Sequence, residues 1–334
     1  MPAQPVLETI NTLAKTAGLP AFDSGNVRHL SRTGNNQILI AERNGKQWII
    51  KRYWSPAPGQ NPRLERERAF YAWAARYAPA CIPKALAWDL THATALFEHL
   101  PGKPPEPGQS SATDPRPMVE FIRLLNQAQP DAQQMPPGTE ACFSVAAHLR
   151  LIADRVARLE NQIAPTDTDA REWVAKTLRP LWNHTLNQLR SRPANQQELA
   201  PNSRCVSPSD FGWHNALLTS DGRCYFIDFE HAGIDDPAKL ACDMFFQPAL
   251  PMGAAAWNSC LSQWDKDKLW GGNWLDLTHT LLPAYRIKWA CILLNEFTHS
   301  GMARRRFANA NDLAGQTAQR KATQLAKAKH LLAH

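Results

Sequence analysis

Short apolar runs separated by turn residues fill the first hundred positions of the chain. In residues 27–54, the runs QILIA and QWIIKRYW flank the dipeptide Asn44-Gly45. Asn-Gly accommodates the two positive φ angles of a tight hairpin turn. An earlier run begins at Val27 and ends in the polar turn SRTGNN, so three strands are predicted. KALAWDL and TALFEHLPG predict a hairpin that completes a five-stranded sheet.

The third predicted strand carries a lysine on an apolar face. Side chains alternate between the faces of a strand, so Lys51 shares its face with Ile49 and Tyr53. Burying an unpaired ammonium costs several kcal/mol, so Lys51 needs an anion. The next segment predicts a helix with Asn61 as N-cap, and helical spacing places Glu67 on its inward face. We expect Lys51 to pair with Glu67; an incidental surface pair, or no pair, is the alternative.

Beyond the stretch LPGKPPEPGQSS, which is rich in proline, glycine and serine, the pattern becomes helical. Asp169 and Glu172 are spaced as a capping box at the start of one of these helices. Helices are predicted at about 4–17, 115–128, 144–162 and 169–191, and in the chain beyond 235. The expected domains are an N-terminal lobe, 1–100, a helical C-terminal lobe, 101–302, and a basic helical tail, 303–334.

Composition indicates a globular protein: 44% of the 334 residues are hydrophobic and 20% are charged. The seven cysteines are scattered without a CxxC pair, which favours reduced thiols and a cytoplasmic location. The first twenty residues lack the pattern of a signal peptide. No stretch approaches 18 uninterrupted apolar residues, so we expect no membrane span.

The net charge of +7 is concentrated at one end of the chain. Residues 303–334 hold seven lysines and arginines against the single acidic residue Asp312. This tail could be a solvated helix, or it could dock an anionic partner. No nucleic-acid-binding motif accompanies the charge, so specific nucleic-acid recognition is not expected.

Three polar residues stand next to apolar runs in the middle of the chain. In CVSPSDFGWHNALL, Asp210 precedes Asn215 by five positions, and Asp228 lies at the centre of CYFIDFEHA. The strand lysine lies about 160 residues before them. Asp-x4-Asn alone is a weak signal, but this conjunction, in this order, is specific. Taken singly, Asp210 or Asn215 could instead cap a turn.

These residues resemble the aminoglycoside phosphotransferase and choline kinase group of the protein-kinase-like fold. SDFGWHNALL stands where that group has a His-Gly-Asp-Leu-His-Pro-Gly-Asn-like loop, and FIDFEHAGIDDPAKLACD resembles its Ile-Asp-Phe/Trp-Glu-x-Ala segment. The resemblance covers roughly residues 25–300. It implies an α+β bilobal fold, in which a small five-stranded antiparallel β N-lobe joins a mostly helical C-lobe. It also implies an ATP- and Mg²⁺-dependent kinase acting on a hydroxyl of a small molecule, such as a sugar, an aminoglycoside-like compound or an amino alcohol.

The resemblance assigns roles to the polar residues. Asp210 would be the catalytic base, and Asn215 and Asp228 would supply oxygen ligands to Mg²⁺. Lys51, held by Glu67, would contact the α- and β-phosphates. Phosphoryl transfer needs positioning and charge stabilisation more than covalent help, which suits this set. Further candidates for nucleotide binding are Gly34 and Asn35 in the turn SRTGNN and, through backbone groups, Glu98 and Leu100.

The acceptor pocket is harder to locate from the sequence. The candidates are Trp213, His214, Tyr285, Arg286, Lys288 and Trp289, of which the aromatic members could equally be core. Pro208-Ser209 stands where the family usually has His-Gly, which marks a divergent member. A pseudokinase-like nucleotide-binding regulatory protein is the alternative function, and a third possibility makes the basic tail the functional part. A protein substrate is disfavoured because no Ala-Pro-Glu-like segment follows Asp228.

Overall fold

The N-terminal part of the chain forms the predicted five-stranded antiparallel sheet, in the order β1-β2-β3-β5-β4. Asn44 and Gly45 form the tight turn between β2 and β3, with φ angles of 52° and 72°. The strands are β1 (Val27–His29), β2 (Gln37–Arg43), β3 (Lys46–Arg52), β4 (Ala85–Asp89) and β5 (Thr94–Glu98). The computed structural model describes residues 4–30, 36–55, 61–106, 108, 113–130, 134–190, 197–308 and 314–333.

Two helices accompany the sheet. Helix α1 (Gln4–Thr16) buries Ile10 and Leu13 in an apolar cluster with residues of β2, β3 and β5. Helix α2 (Pro62–Tyr77) begins as predicted, because the Asn61 side chain accepts a hydrogen bond from the backbone N–H of Leu64. Its inward face carries Glu67, which is 1% exposed. The sheet and α2 therefore hold two opposite charges, Lys51 and Glu67, inside the protein.

The rest of the chain is mostly helical, which together with the sheet gives the expected α+β arrangement of a five-stranded antiparallel sheet and a mostly helical part. The helices are α3 (Arg116–Leu125), α4 (Val145–Gln162), α5 (Thr168–Trp173), α6 (Arg179–Arg190), α7 (Pro237–Phe246), α8 (Ala254–Lys266), α9 (Trp274–Leu293), α10 (His299–Ala308) and α11 (Ala314–Ala333). The long helix α9 packs against α4, α7 and α11. In the part of the chain described, no helix is both long enough and apolar enough to cross a membrane.

The predicted helix at 169–191 differs in detail. Helix α5 follows Asp167, and a π-helical stretch, Val174–Leu178, connects it to α6. The expected capping box of Asp169 and Glu172 does not form at this start. Instead, Glu172 pairs with Lys176 on the exposed face, and Asp167 pairs with Lys321 of α11. The residue before the helix is thus in contact with a segment 154 positions away in the sequence, which the local pattern does not reveal.

The basic tail is packed against the helical lobe. Helix α11 buries Leu325 and Ala328 in the cluster that contains α9 residues. Two of its cations are paired internally: Lys321 with Asp167 at 2.7 Å, and Arg320 with Glu296 at 3.5 Å. The tail is therefore packed on the helical lobe rather than detached from it, and docking of a separate anionic partner has no support from these contacts.

Two small two-stranded sheets carry the motif region. β6 (Cys205–Ser207) pairs with β9 (Gly233–Asp235), and β7 (Ala216–Leu218) pairs with β8 (Cys224–Phe226). The loop between β6 and β7 contains Asp210 and Asn215, and the loop after β8 contains Asp228. The hydrophobic runs noted in the sequence are thus short strands that fix both ends of each polar loop.

Helix α10 approaches the preceding segment through a glycine. A Cβ built on Gly301 would lie 1.9 Å from the carbonyl oxygen of Asn295. We expect Gly301→Ala to lower the free energy of unfolding by about 1–3 kcal/mol, because the backbone must shift to admit the methyl group. Urea denaturation measures this loss. Gly25→Ala is the control, since no atom lies within 4 Å of its added Cβ; equal losses in the two variants would contradict the close packing.

Candidate active site

A buried lysine joins the two parts of the protein. Lys51, on β3, lies 2.6 Å from the Oε2 atom of Glu67 and 2.5 Å from the Oδ1 atom of Asp228. The Glu67 Oε1 atom also accepts the backbone N–H of Phe229 at 3.0 Å, directly after Asp228. The predicted Lys51–Glu67 pair is therefore present, and it holds the loop after β8 against the sheet.

Two carboxylates face the one ammonium in this cluster. Burial alone would lower the pKa of Lys51, but Asp228 and Glu67 outweigh it and raise that pKa above its ordinary value. Lys51 is therefore protonated at neutral pH. Asp228 adopts a left-handed backbone conformation, with φ of 67°, and its side chain is 41% exposed. The cluster therefore combines a charged, buried ammonium with an accessible carboxylate.

Asn215 connects the loop of Asp210 to that of Asp228. The side-chain Nδ2 of Asn215 donates to the backbone carbonyl of Asp210 at 2.9 Å. The backbone carbonyl of Asn215 accepts the backbone N–H of Ile227, also at 2.9 Å. Because the side-chain nitrogen is used in the first bond, the side-chain oxygen of Asn215 is left to coordinate a metal ion. An amide oxygen and an accessible carboxylate are ligands that suit Mg²⁺, so Asn215 and Asp228 fit the expected cation.

Asp210 lies at the edge of a pocket with its side chain 41% exposed. His214 Nε2 donates to Asp210 Oδ1 at 3.1 Å. The protein around Asp210 favours the neutral carboxyl, but His214 outweighs this effect and lowers the pKa of Asp210 below its ordinary value. Asp210 is therefore an ionised, accessible carboxylate at neutral pH.

The nucleotide candidates are only partly within the described structure. Gly34 and Asn35 lie outside the described residues. Glu98 ends β5, and its Oε1 atom accepts the backbone N–H of Lys84 at 2.6 Å. Leu100 follows it in the connection to the helical part and is half-buried. The roles of Glu98 and Leu100 in adenine binding remain predictions.

The six acceptor candidates separate by location. Lys288 and Trp289, on α9, line the pocket beside Asp210, and both contact Asp243. Arg286 lines a different, apolar groove of about 1000 Å³ between α11 and helices α7 to α9. Its Nε donates to the carbonyl of Leu331.

The remaining acceptor candidates lie away from the pocket wall. Trp213 and Tyr285 are fully buried, and the Tyr285 hydroxyl contacts His148 Nδ1 at 2.6 Å. His214 contacts Asp210 instead of lining the pocket. Trp213 and Tyr285 are thus core residues, because apolar packing outweighs the polar atom that each carries.

Several charged residues of the site were not singled out from the sequence. Glu230, two positions after Asp228, accepts from Asn36 Nδ2 at 2.6 Å and pairs with Arg63 at 2.9 Å. Burial would raise the pKa of Glu230, but His231, Lys51 and Arg63 outweigh it and lower that pKa. Glu230 lies in the segment FIDFEHAG, two residues after Asp228, and this proximity to Asp228 is the sequence feature that could have identified it.

A family model covers more than half of the chain. Residues 27–239 match the model of the phosphotransferase enzyme family. No curated protein matches the chain significantly.

Solved structures share the fold at low sequence identity. They include macrolide 2'-phosphotransferase MphH from Brachybacterium faecium, with 17% identity and a TM-score of 0.56, over 92% of this chain and 99% of that one. Choline kinase LicA from Streptococcus pneumoniae has 15% identity and a TM-score of 0.59, over 98% of each chain. Amicoumacin kinase hAmiN, in complex with AMP-PNP and Ca²⁺, has 13% identity and a TM-score of 0.53, over 98% of this chain and 96% of that one.

At such identities the solved structures show the fold, and the match of the family model decides the assignment. The match spans the sheet with Lys51, helix α2 with Glu67 and both polar loops. The resemblance read from the motifs is therefore confirmed, and the chain belongs to the phosphotransferase enzyme family.

Proposed function

We propose that the protein is a small-molecule kinase that transfers the γ-phosphoryl group of ATP to a hydroxyl. The observation that carries the proposal is the position of Lys51 between Glu67 and Asp228, with Asn215 bonded to the loops of both Asp210 and Asp228. This arrangement gathers a cation for phosphates, oxygen ligands for a divalent cation and an ionised carboxylate. These are the parts that phosphoryl transfer uses.

In the proposed reaction, Asp210 orients the acceptor hydroxyl and receives its proton. The acceptor oxygen forms a bond to the γ-phosphorus while the bond from that phosphorus to the β–γ bridging oxygen breaks, so ADP leaves with the bond electrons. Lys51 holds the α- and β-phosphates through its charge, and Glu67 fixes the ammonium. When bound at Asn215 and Asp228, Mg²⁺ would neutralise phosphate charge. Among the similar proteins, hAmiN was crystallised with AMP-PNP and Ca²⁺ and LicA with AMP, which supports nucleotide binding here.

We expect Asp228→Asn to remove most of the stabilisation that Mg²⁺ and ATP together give the protein. Asparagine tolerates the left-handed backbone of this position but lacks the charge that a divalent cation needs. Thermal unfolding with ATP, with and without excess EDTA, measures the shift in Tm. An unchanged Mg²⁺-dependent shift in the variant would exclude Asp228 as the metal ligand.

Phosphoryl transfer itself is tested with radiolabelled ATP and a panel of hydroxyl compounds of different charge. Product formation that requires Mg²⁺ and wild-type Asp210 is expected. Binding of Mg²⁺ and ATP without transfer to any acceptor would instead support the nucleotide-binding regulatory alternative.

A further inference from the structure

The pocket beside Asp210 is where an acceptor would bind, and its wall carries more cations than carboxylates. Its volume is about 380 Å³, and it is bounded by the loop of Asp210 and by residues of α4, α7, α9, α10 and α11. Among the described residues, seven lysine and arginine side chains line it, against four carboxylates. Since Asp210 is the proposed base, the acceptor hydroxyl would lie beside it. The rest of the acceptor molecule would then contact the other residues of the pocket wall.

Most of these charges are already paired. Glu140 accepts from Arg155 at 2.6 Å, which helps to lower the pKa of Glu140 to about 2 against the opposing effect of burial. The other pairs are Asp243 with Lys288 at 2.6 Å, Asp235 with Lys239 at 2.8 Å, Glu296 with Arg305 at 2.6 Å, and Glu230 with Arg63 at 2.9 Å. Five of the seven cations in the wall are therefore neutralised by the protein.

Arg304 and Lys327 are the two cations left over. No hydrogen bond or ion pair connects Arg304 with another residue in the part of the chain that the structure describes, and its Nε atom is buried without a partner. Lys327, on α11, is exposed at the rim shared with the apolar groove. The pocket thus carries two positive charges that an incoming molecule can neutralise.

The surroundings of Arg304 disfavour its charge. Burial, together with repulsion from Arg63, Arg155 and Arg305, lowers the pKa of Arg304 to about 10, despite a weaker attraction to Glu230. A guanidinium held among other guanidinium groups gains most from an anion that accepts two parallel N–H bonds, such as a carboxylate or a phosphate.

We propose that the acceptor is an anionic hydroxyl compound, whose carboxylate or phosphate group binds Arg304 and Lys327 while its hydroxyl faces Asp210. The inference rests on the proposed function, since it takes Asp210 as the site of transfer. Arg304 is in this view the residue that determines acceptor specificity.

The test begins with a probe that does not depend on the shape of the acceptor. Inorganic phosphate is titrated into the protein saturated with Mg²⁺ and AMP-PNP, so that the nucleotide site is filled. We expect Arg304→Met to weaken phosphate binding by about 10- to 100-fold, as for the loss of a charged hydrogen bond. Arg304→Lys should retain part of the affinity. Arg306→Met, on the exposed face of the same helix, is the matched control and should leave it unchanged.

Four compounds built on glucose, which carry a negative, no or a positive charge, then test which charge the acceptor site prefers. Glucuronate and glucose 6-phosphate should bind more tightly than glucose and glucosamine, and the tighter of the two distinguishes a carboxylate from a phosphate acceptor. Arg304→Met should remove this preference and leave the KM for ATP unchanged, whereas a role at the nucleotide phosphates would raise that KM.

The outcomes separate this inference from the proposed function. Equal phosphate affinity in wild type and Arg304→Met, or anionic hexoses that bind no better than glucose, would overturn the anionic acceptor while leaving the kinase proposal intact. Anionic hexoses that bind through Arg304 but are never phosphorylated would contradict the kinase proposal and leave the charge preference standing.

Discussion

Replacing Asp210 with asparagine is expected to reduce the turnover of phosphoryl transfer by about 10²–10⁴-fold, the usual contribution of a general base. The substitution removes the proton acceptor but keeps the shape of the side chain. Asparagine Oδ1 can still accept from His214, and the bond from Asn215 goes to the backbone carbonyl of position 210, which the substitution does not change. Binding of Mg²⁺ and ATP should therefore remain nearly normal.

Steady-state kinetics and thermal unfolding of Asp210→Asn, measured side by side, decide this role. If Asp210 only caps its loop, the variant should retain most of its turnover. Asp221→Asn is the control, since Asp221 is an exposed aspartate in the turn between β7 and β8 and its replacement changes the net charge equally. A variant at 210 that transfers phosphate at nearly the wild-type rate would remove the assignment of the base.

Lys51→Met is expected to reduce transfer by about 10²–10³-fold, comparable with the loss of one preorganised electrostatic contact in other enzymes. It should also lower the free energy of unfolding by about 3 kcal/mol, because Glu67 is left buried without its counter-charge. The single variant therefore mixes a catalytic with a structural effect, and a second variant is needed.

The double variant Lys51→Met/Glu67→Gln separates the two effects. Glutamine removes the unpaired charge, and its amide oxygen can still accept the N–H of Phe229. We expect stability measured by urea denaturation to recover in large part, while transfer stays at least about 100-fold below wild type. Recovery of transfer together with stability would mean that Lys51 serves only the fold.

The parts of the protein that were predicted well are those whose cause is local in the chain. The β2–β3 turn follows from Asn44-Gly45, because few dipeptides tolerate two positive φ angles. The Lys51–Glu67 contact follows from two periodicities, one in a strand and one in the next helix. The Asn215–Asp210 contact joins residues five positions apart in the same loop. Each of these can be argued from neighbours in sequence.

The acceptor candidates show where such arguments stop. Tyr285 and Lys288 are one turn apart on α9, yet Tyr285 is buried against His148 of α4 and Lys288 lines the pocket. Helical periodicity places both on the same side of the helix, and only the packing of α4 and α7 decides which one reaches the cavity. At the start of α5, Asp167 likewise pairs with Lys321 of α11, 154 positions away in the sequence, which no local pattern predicts.

The sequence by itself determined the family, the sheet with its lysine and the two polar loops, because their motifs lie in short segments whose spacing dictates their geometry. Only the tertiary structure decided the charge of the pocket. The net charge of the chain is concentrated in its tail, but the sequence does not show that Arg304 and Lys327 of that tail line the pocket. Nor does it show which of the other pocket cations are neutralised by carboxylates from other helices. Arg304 is left without a carboxylate partner among the described residues. Because Arg304 is partly buried, the unpaired guanidinium is costly, and an anion that binds it would be stabilised.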